Sequence, residues 1–233
     1  MYRIKICGIV NSVDALTAVE YGADAIGFLI GTRHRAEDRI DPDEAAAIAA
    51  SLPHGVMKVM VTHLDRAESI FSLFKQSGCS AVQVQEEVSP DELGSLSDLM
   101  GGQPVIKALH IGDPGENSPI DVLIRRAKQF LPYVTGIVLD SVNPGEDRIG
   151  GTGLTHDWTA SRLLVRALPC PVILAGGLNP DNVVEAVERV EPYGVDVNSG
   201  VELDGRSPGG GKDLPRLHTF ISRAALSLDI TAR

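Results

Sequence analysis

The sequence is short of cysteine, of basic residues and of long apolar runs, and each shortage removes a class of function. Three cysteines occur, Cys7, Cys79 and Cys170. They form no CxxC pair, are too few for a disulfide framework, and no His/Cys spacing matches a structural zinc site, so reduced, unmetallated thiols are expected. No apolar run is long enough to cross a bilayer. The segment after Met1 turns at once into a strand-like run, without the basic stretch, apolar region and small-residue cleavage site of a secretory signal, so a cytoplasmic location is expected. Lys and Arg number 21 against 31 Asp and Glu, a formal net charge of −10. No concentrated Lys/Arg stripe offsets that charge, which speaks against a nucleic-acid partner. An anion that binds this chain must find a local site.

Two other absences bear on architecture. No linker or low-complexity segment interrupts the 233 residues, a length at which α/β barrels are routinely one domain, so residues 1–233 are read as a single domain. The first strand is not followed by the GxGxxG of a dinucleotide-binding open sheet. What is present is alternation: short β-branched runs separated by amphipathic stretches, the sign of parallel strands joined by crossover helices. Eight strands are predicted, RIKIC, AIGFLI, VMKVMV, AVQV, PVIKAL, GIVLD, PVILA and GVDV, each apolar enough to be covered on both faces. Helices are predicted at PDEAAAIAASL with Pro42 in its first turn, RAESIFSLFKQSG stopping at Gly78, PDELGSLSDLM, and PDNVVEAVERV with Asn179 as N-cap. Eight such units predict a closed (β/α)8 barrel, a TIM barrel of the α/β class.

In such a barrel chemistry lies where the strands end, on the face built by the βα loops. Those ends carry Cys7, the segment GTRHRAEDR, Thr62 and His63, Gln85 and Glu86, His110, Asp140, Gly176 and Gly177, then Asn198, Ser199 and Gly200. Glycines let backbone N–H groups approach an anion. Loops of this kind after the seventh and eighth strands, Gly176–Gly177 and Ser199–Gly200, suit a phosphate.

With these positions in view, the chain resembles the phosphoribosylanthranilate isomerase family of tryptophan biosynthesis, nearly end to end. The resemblance rests on KICGI at 5–9, GADAIGF at 22–28, PVIKAL at 104–109, LDS at 139–141, GGTG at 150–153, HDW at 156–158, LAGGLNPDNV at 174–183, VDVNSGVE at 195–202 and PGGGKD at 208–213. It implies a (β/α)8 barrel and an Amadori rearrangement, in which a phosphoribosylated amine opens its ring and becomes a 1-amino-1-deoxyketose, with no cofactor and no metal. It further implies Cys7 as general base and Asp140 as general acid. A thiol of pKa about 8.5 is mostly protonated near neutrality, so Cys7 needs a cation, Lys5 or the transient iminium of the substrate. An acid at Asp140 must hold its proton, which burial or a neighbouring anion favours.

The amine side departs from the family pattern. An SPRYI-like loop becomes GTRHRAEDRIDP, leaving Arg35 and Arg39, with Arg33 a further alternative, as partners for a substrate carboxylate. GVFVN becomes MVTHL, bringing His63, and VQLHG becomes VQVQE, bringing Gln85 and Glu86. His34, His63 and Glu86 have no recognised metal spacing. These changes cluster on one side of the barrel mouth. They leave open a related isomerase acting on a different phosphoribosylamine, and a non-catalytic barrel that binds a phosphorylated metabolite. A different phosphate-binding barrel enzyme is disfavoured by the KICG, LDS and GGTG motifs. In each reading the partner is a small phosphorylated molecule.

Overall fold

The computed structural model describes residues 1–32, 38–112, 120–141, 157–203 and 211–231. Eight parallel strands close on themselves in chain order. They are β1 (Ile4–Ile6), β2 (Ala25–Leu29), β3 (Met57–Thr62), β4 (Ala81–Val84), β5 (Val105–Ile111), β6 (Gly136–Ser141), β7 (Val172–Leu174) and β8 (Gly194–Val197). β1 seals the barrel against β8 with Lys5 opposite Asp196 and Ile6 opposite Val197. The helices between them are α1 (Ser12–Glu20), α2 (Pro42–Ser51), α3 (Ala67–Gln76), α4 (Pro90–Met100), α5 (Ile120–Phe130), α6 (Trp158–Ala167), α7 (Val183–Val190) and α8 (Leu214–Thr231). No helix of the described residues is long and apolar enough to cross a membrane.

The strand period of two sorts side chains into two layers. Ile4, Ile6, Ile26, Phe28, Met60, Val82, Val84, Val105 and Leu109 face outward and pack with helix residues such as Ile48, Ile70, Leu93 and Leu164. Ala25, Val59, Ala81, Ile106, Ala108, Val138, Ile173 and Ala175 form a separate cluster with Cys7 inside the barrel. These inner residues are mostly small, and polar side chains occupy the space above and between them.

Local chemistry explains most helix boundaries. Asn11 caps α1 by accepting from the Asp14 amide at 2.8 Å. Pro42 opens α2, where the Asp41 amide donates back to Glu44 at 3.0 Å. Ser89 caps α4 and a left-handed Gly101 ends it. Gly78, at φ +64, follows α3 as expected. One boundary differs. α7 starts at Val183 with Asn182 at its N-cap position, and Pro180–Asn182 form a turn rather than the helix's first residues. The cause is a reciprocal pair of asparagines. Asn179 Oδ1 accepts from the Asp181 and Asn182 amides at 2.8 and 3.2 Å, and Asn182 Oδ1 accepts from the Asn179 amide at 2.8 Å. Side-chain bonds of this kind compete with helical pairing and hold the turn instead.

Candidate active site

Cys7 lies one residue past β1 and points into the barrel, 7% exposed. Gly27 makes the space for it. A side chain there would begin 2.8 Å from Cys7 Sγ and 2.7 Å from Lys5 Cε, so only glycine lets thiol and lysine share this wall. Lys5, fully buried, forms an ion pair with Asp196 and donates to Gln83 Oε1 at 2.9 Å. Burial alone would push the Lys5 ammonium down, but the Asp196 carboxylate, with Cys7 and Tyr2, holds it above its ordinary value. Burial pushes the Cys7 thiol up to about 12, against the pull of Lys5 and with additional push from Asp196 and Asp38. In the free site Cys7 is a thiol.

Asp140, near the end of β6, is 6% exposed and also faces inward. Its Oδ1 accepts from the Ser141 amide at 2.8 Å and its Oδ2 from Gln85 Nε2 at 3.0 Å. Opposite it in register stands His110 of β5. Burial pushes His110 down to about 4, with Asp140 opposing and Lys107 and His63 adding, so the imidazole is neutral at physiological pH. His63 is buried at 5% just beyond β3, near enough to His110 to affect it. Thr62, at the end of β3, bonds to the Gly31 carbonyl and the Leu64 amide and so ties the β2 and β3 loops together.

The two glycine loops meet on the stretch of rim between Asp140 of β6 and Cys7 after β1. Gly176 and Gly177 have φ of +75 and +66. A 3-10 turn covers Ser199–Val201. At Gly200 a Cβ would fall 1.9 Å from the Leu178 carbonyl oxygen, so the two loops touch through backbone, and Arg216 fixes the Gly200 carbonyl at 3.2 and 3.0 Å. A second polar network closes the rim beside Gly8. Asn198 Nδ2 donates to Asp38 Oδ2 at 2.6 Å, and Lys212, 4% exposed, donates to Asn198 Oδ1 at 2.7 Å and through its amide to Asp14 at 2.9 Å.

The expected positions fall into groups. Cys7, Asp140, Gln85, His110 and His63 converge on one mouth, and Gly176, Gly177, Ser199 and Gly200 lie on its rim between Asp140 and Cys7. Gln85, expected on the amine side, donates to Asp140. Arg39 is exposed, its backbone bridged to Leu29 of β2. Arg35, Arg33, His34 and the GGTG segment lie outside the described residues. Gln83, Asp196, Lys212 and Asp38 also belong to this polar interior and rim, and none of them stood out as a strand-end residue. The signal for two of them was parity, since VQVQ places both glutamines on one strand face and GVDV sets a lone aspartate in an apolar strand.

This geometry, with ionisable side chains turned inward at the strand ends and paired glycine loops after β7 and β8, defines a (β/α)8 barrel whose mouth suits acid–base chemistry, and its relatives are enzymes of the aldose–ketose isomerase class, intramolecular oxidoreductases. A model of the N-(5'-phosphoribosyl)anthranilate isomerase family matches residues 4–223, and the chain belongs to that family, whose reaction lies in tryptophan biosynthesis. It is similar to N-(5'-phosphoribosyl)anthranilate isomerase 2 of Methanosarcina mazei, 39% identical over 95% of this chain and 93% of that one. It is also similar to the Haloferax volcanii N-(5'-phosphoribosyl)anthranilate isomerase, 37% identical over 96% and 93%. Among solved structures, phosphoribosyl anthranilate isomerase from Thermotoga maritima superposes with a TM-score of 0.79 at 33% identity, covering 97% of this chain and 99% of that one. A phosphoribosyl anthranilate isomerase in complex with reduced 1-(o-carboxyphenylamino)-1-deoxyribulose 5-phosphate superposes at 0.75 and 31% identity, with the same coverage.

Proposed function

We propose that this chain catalyses the Amadori rearrangement of N-(5'-phosphoribosyl)anthranilate to 1-(o-carboxyphenylamino)-1-deoxyribulose 5-phosphate, with Asp140 as general acid and Cys7 as general base. The observation that carries the reading is the placement of both groups inside the same barrel mouth, each held by the wall rather than by a mobile loop.

Asp140 protonates the furanose ring oxygen, the C1'–O bond breaks, and the nitrogen lone pair makes a cationic Schiff base at C1'. Cys7, as thiolate, then takes the proton from C2', and the electron pair of that C–H bond neutralises the iminium to give an enolamine. Tautomerisation to the ketone completes the product. Because burial favours the thiol in the free site, the thiol proton leaves to water as positive charge builds at C1', and Lys5 beside it steadies the thiolate. Gly176, Gly177, Ser199 and Gly200 present backbone to the 5'-phosphate. Arg35 or Arg39 answers the anthranilate carboxylate, with His63 on the same side. No residue role in this scheme calls for a metal or cofactor, and a cytoplasmic location accords with it.

The test is the loss of phosphoribosylanthranilate fluorescence with wild type, Cys7→Ala and Asp140→Asn side by side. Turnover by wild type that both substitutions abolish is expected. A folded wild type that binds a ribose-phosphate analogue without turnover would replace this reading with a different amine or a binding role.

A further inference from the structure

Between the proposed base and the proposed acid the barrel interior contains a continuous line of polar side chains. Lys5 Nζ donates to Gln83 Oε1 at 2.9 Å. Gln83 Nε2 donates to Gln85 Oε1 at 3.5 Å, the longest link, and Gln85 Nε2 donates to Asp140 Oδ2 at 3.0 Å. All four side chains are buried, at 0, 1, 6 and 6% exposure. The direction of the line is set at the Lys5 end. An ammonium has only donors, so Gln83 must turn its carbonyl oxygen to Lys5, which leaves its NH2 for Gln85. Once ionised, Asp140 has only acceptors and requires the NH2 of Gln85, which is the orientation the Lys5 end already imposes before the proton is given up.

We infer that Gln83 and Gln85 are positioning residues that carry the influence of the buried Lys5 cation across the barrel to Asp140, and so stabilise the carboxylate that forms as the substrate ring opens. The inference rests on Asp140 being the acid. During the rearrangement a negative charge disappears from Cys7 and one appears on Asp140. Lys5 shares the Gly27 wall with the Cys7 thiol and reaches the Asp140 carboxylate through two aligned amides. One buried cation therefore serves both ends of the charge movement, and the amides are oriented before the reaction begins. Hydrogen bonds to an ionised acceptor are about twice as strong as neutral ones, so the Gln85 bond strengthens as Asp140 gives up its proton.

The test uses three variants with Asp140→Asn beside them. Gln85→Met keeps the size and removes the donor. Gln85→His returns a donor at the position where the family carries histidine. Gln83→Glu keeps a partner for Lys5 but has no hydrogen to give to Gln85, so it breaks the line two side chains from the substrate. The expected result is a fall in kcat of about 10- to 100-fold for Gln85→Met and Gln83→Glu, with KM within about threefold of wild type. Gln85→His should recover to within about threefold of wild type. The high-pH limb of kcat/KM, where Asp140 loses the proton it must donate, should move to higher pH in Gln85→Met. The other charged or titratable groups near this point, His110 and Lys107 on β5, His63 beyond β3, Glu86 after β4 and Asp196 on β8, are unchanged in every variant. Folded Gln85→Met or Gln83→Glu protein with wild-type kcat, or with a raised KM and an unmoved pH profile, overturns the inference. If Asp140→Asn turns over like wild type, the acid assignment fails first and takes this inference with it. If Asp140→Asn is dead while the glutamine variants are normal, only the line of amides is refuted.

Discussion

Replacing Lys107 with methionine should make the protein more stable at neutral pH, and the gain should fade as pH rises. Lys107 lies on β5 but on the opposite strand face from His110, so it points away from the site into the layer beneath the helices, fully buried. Its ammonium meets the Val84 carbonyl at 3.4 Å, the Ala108 carbonyl, and the Phe130 ring at 5.8 Å. Burial pushes it down from 10.5 to about 7, with only the charge of Glu86 opposing. Between those two values the unfolded chain holds the proton and the folded chain does not, so stability rises with pH across that window and the penalty is complete below it. Each pH unit is worth about 1.4 kcal/mol, and the full difference is about 5 kcal/mol. Methionine fills a similar volume without a charge. From about pH 7.5 to about pH 9.5 the advantage of Lys107→Met should shrink by about 3 kcal/mol. In melting temperature that is about 6–12 °C at this chain length. Thermal melts of both proteins at the two pH values measure it. Parallel pH dependence of the two melting temperatures would refute the reasoning, because it would mean Lys107 keeps its ordinary protonation in the folded chain.

Alkylation of Cys7 by iodoacetamide in the free protein should be slow at neutral pH and rise only toward about pH 12, since burial pushes the thiol up to about 12; mass spectrometry of the labelled peptide reads it, and rapid labelling at pH 7 would contradict the assigned surroundings. Gly200→Ala should raise KM far more than it lowers kcat, because its Cβ would fall 1.9 Å from the Leu178 carbonyl and force the two glycine loops apart; an unchanged KM would remove these loops from the phosphate site. Lys5→Met should cost about 3–5 kcal/mol by leaving Asp196 buried without its cation, and Lys5→Met with Asp196→Leu should regain much of it; urea unfolding of single and double variants decides, and additive losses would deny the coupling. His110, pushed down to about 4 by burial, binds its proton more weakly folded than unfolded, so it contributes a loss of stability as pH falls from about 6.5 to about 4; His110→Gln should flatten that part of the acid melting curve relative to wild type.

The barrel was legible because its signals are short-range. Eight apolar runs fix the strands, AVQV and GVDV to the residue, and the helix start at Pro42 and the stop at Gly78 depend only on near neighbours. PVIKAL fell short because β5 continues through His110 and Ile111, where pairing with Asp140 and Ser141 of β6 sustains it. Nothing in the strand's own residues announces that partner. The same holds for the site. Cys7 and Asp140 are visible as strand-end residues, but Gln85 against Asp140 is a contact across 55 positions and Asp196 against Lys5 one across 191. The misread Asn179 is instructive in the other direction. Asparagine before a helix is a sound N-cap signal, yet a second asparagine three residues on satisfies its amide and moves the cap to Asn182.

The two buried lysines show what such long-range contacts decide. Lys5 and Lys107 are the same residue type, each in the middle of an apolar strand and each fully buried. Strand parity sends one into the barrel and the other out of it. Inside, β8 lies next to β1 in the closed sheet and brings the Asp196 carboxylate to Lys5. Outside, Lys107 finds backbone carbonyls and an aromatic ring. The first is therefore held charged and the second is pushed toward neutrality. Closure of the barrel makes that difference, because β1 and β8 are at opposite ends of the chain and an open sheet with the same strands would leave Lys5 without its counter-ion. A fixed cation beside Cys7 is thus a property of the closed barrel, and a local change that loosened the β1–β8 seam should weaken catalysis before it unfolds the protein. Gly194→Ala is such a change, since its Cβ would fall 2.5 Å from the Arg3 carbonyl across that seam. Its kcat should drop at temperatures where the overall fold, followed by circular dichroism, is still intact; activity and fold lost together would show that the seam has no separate role.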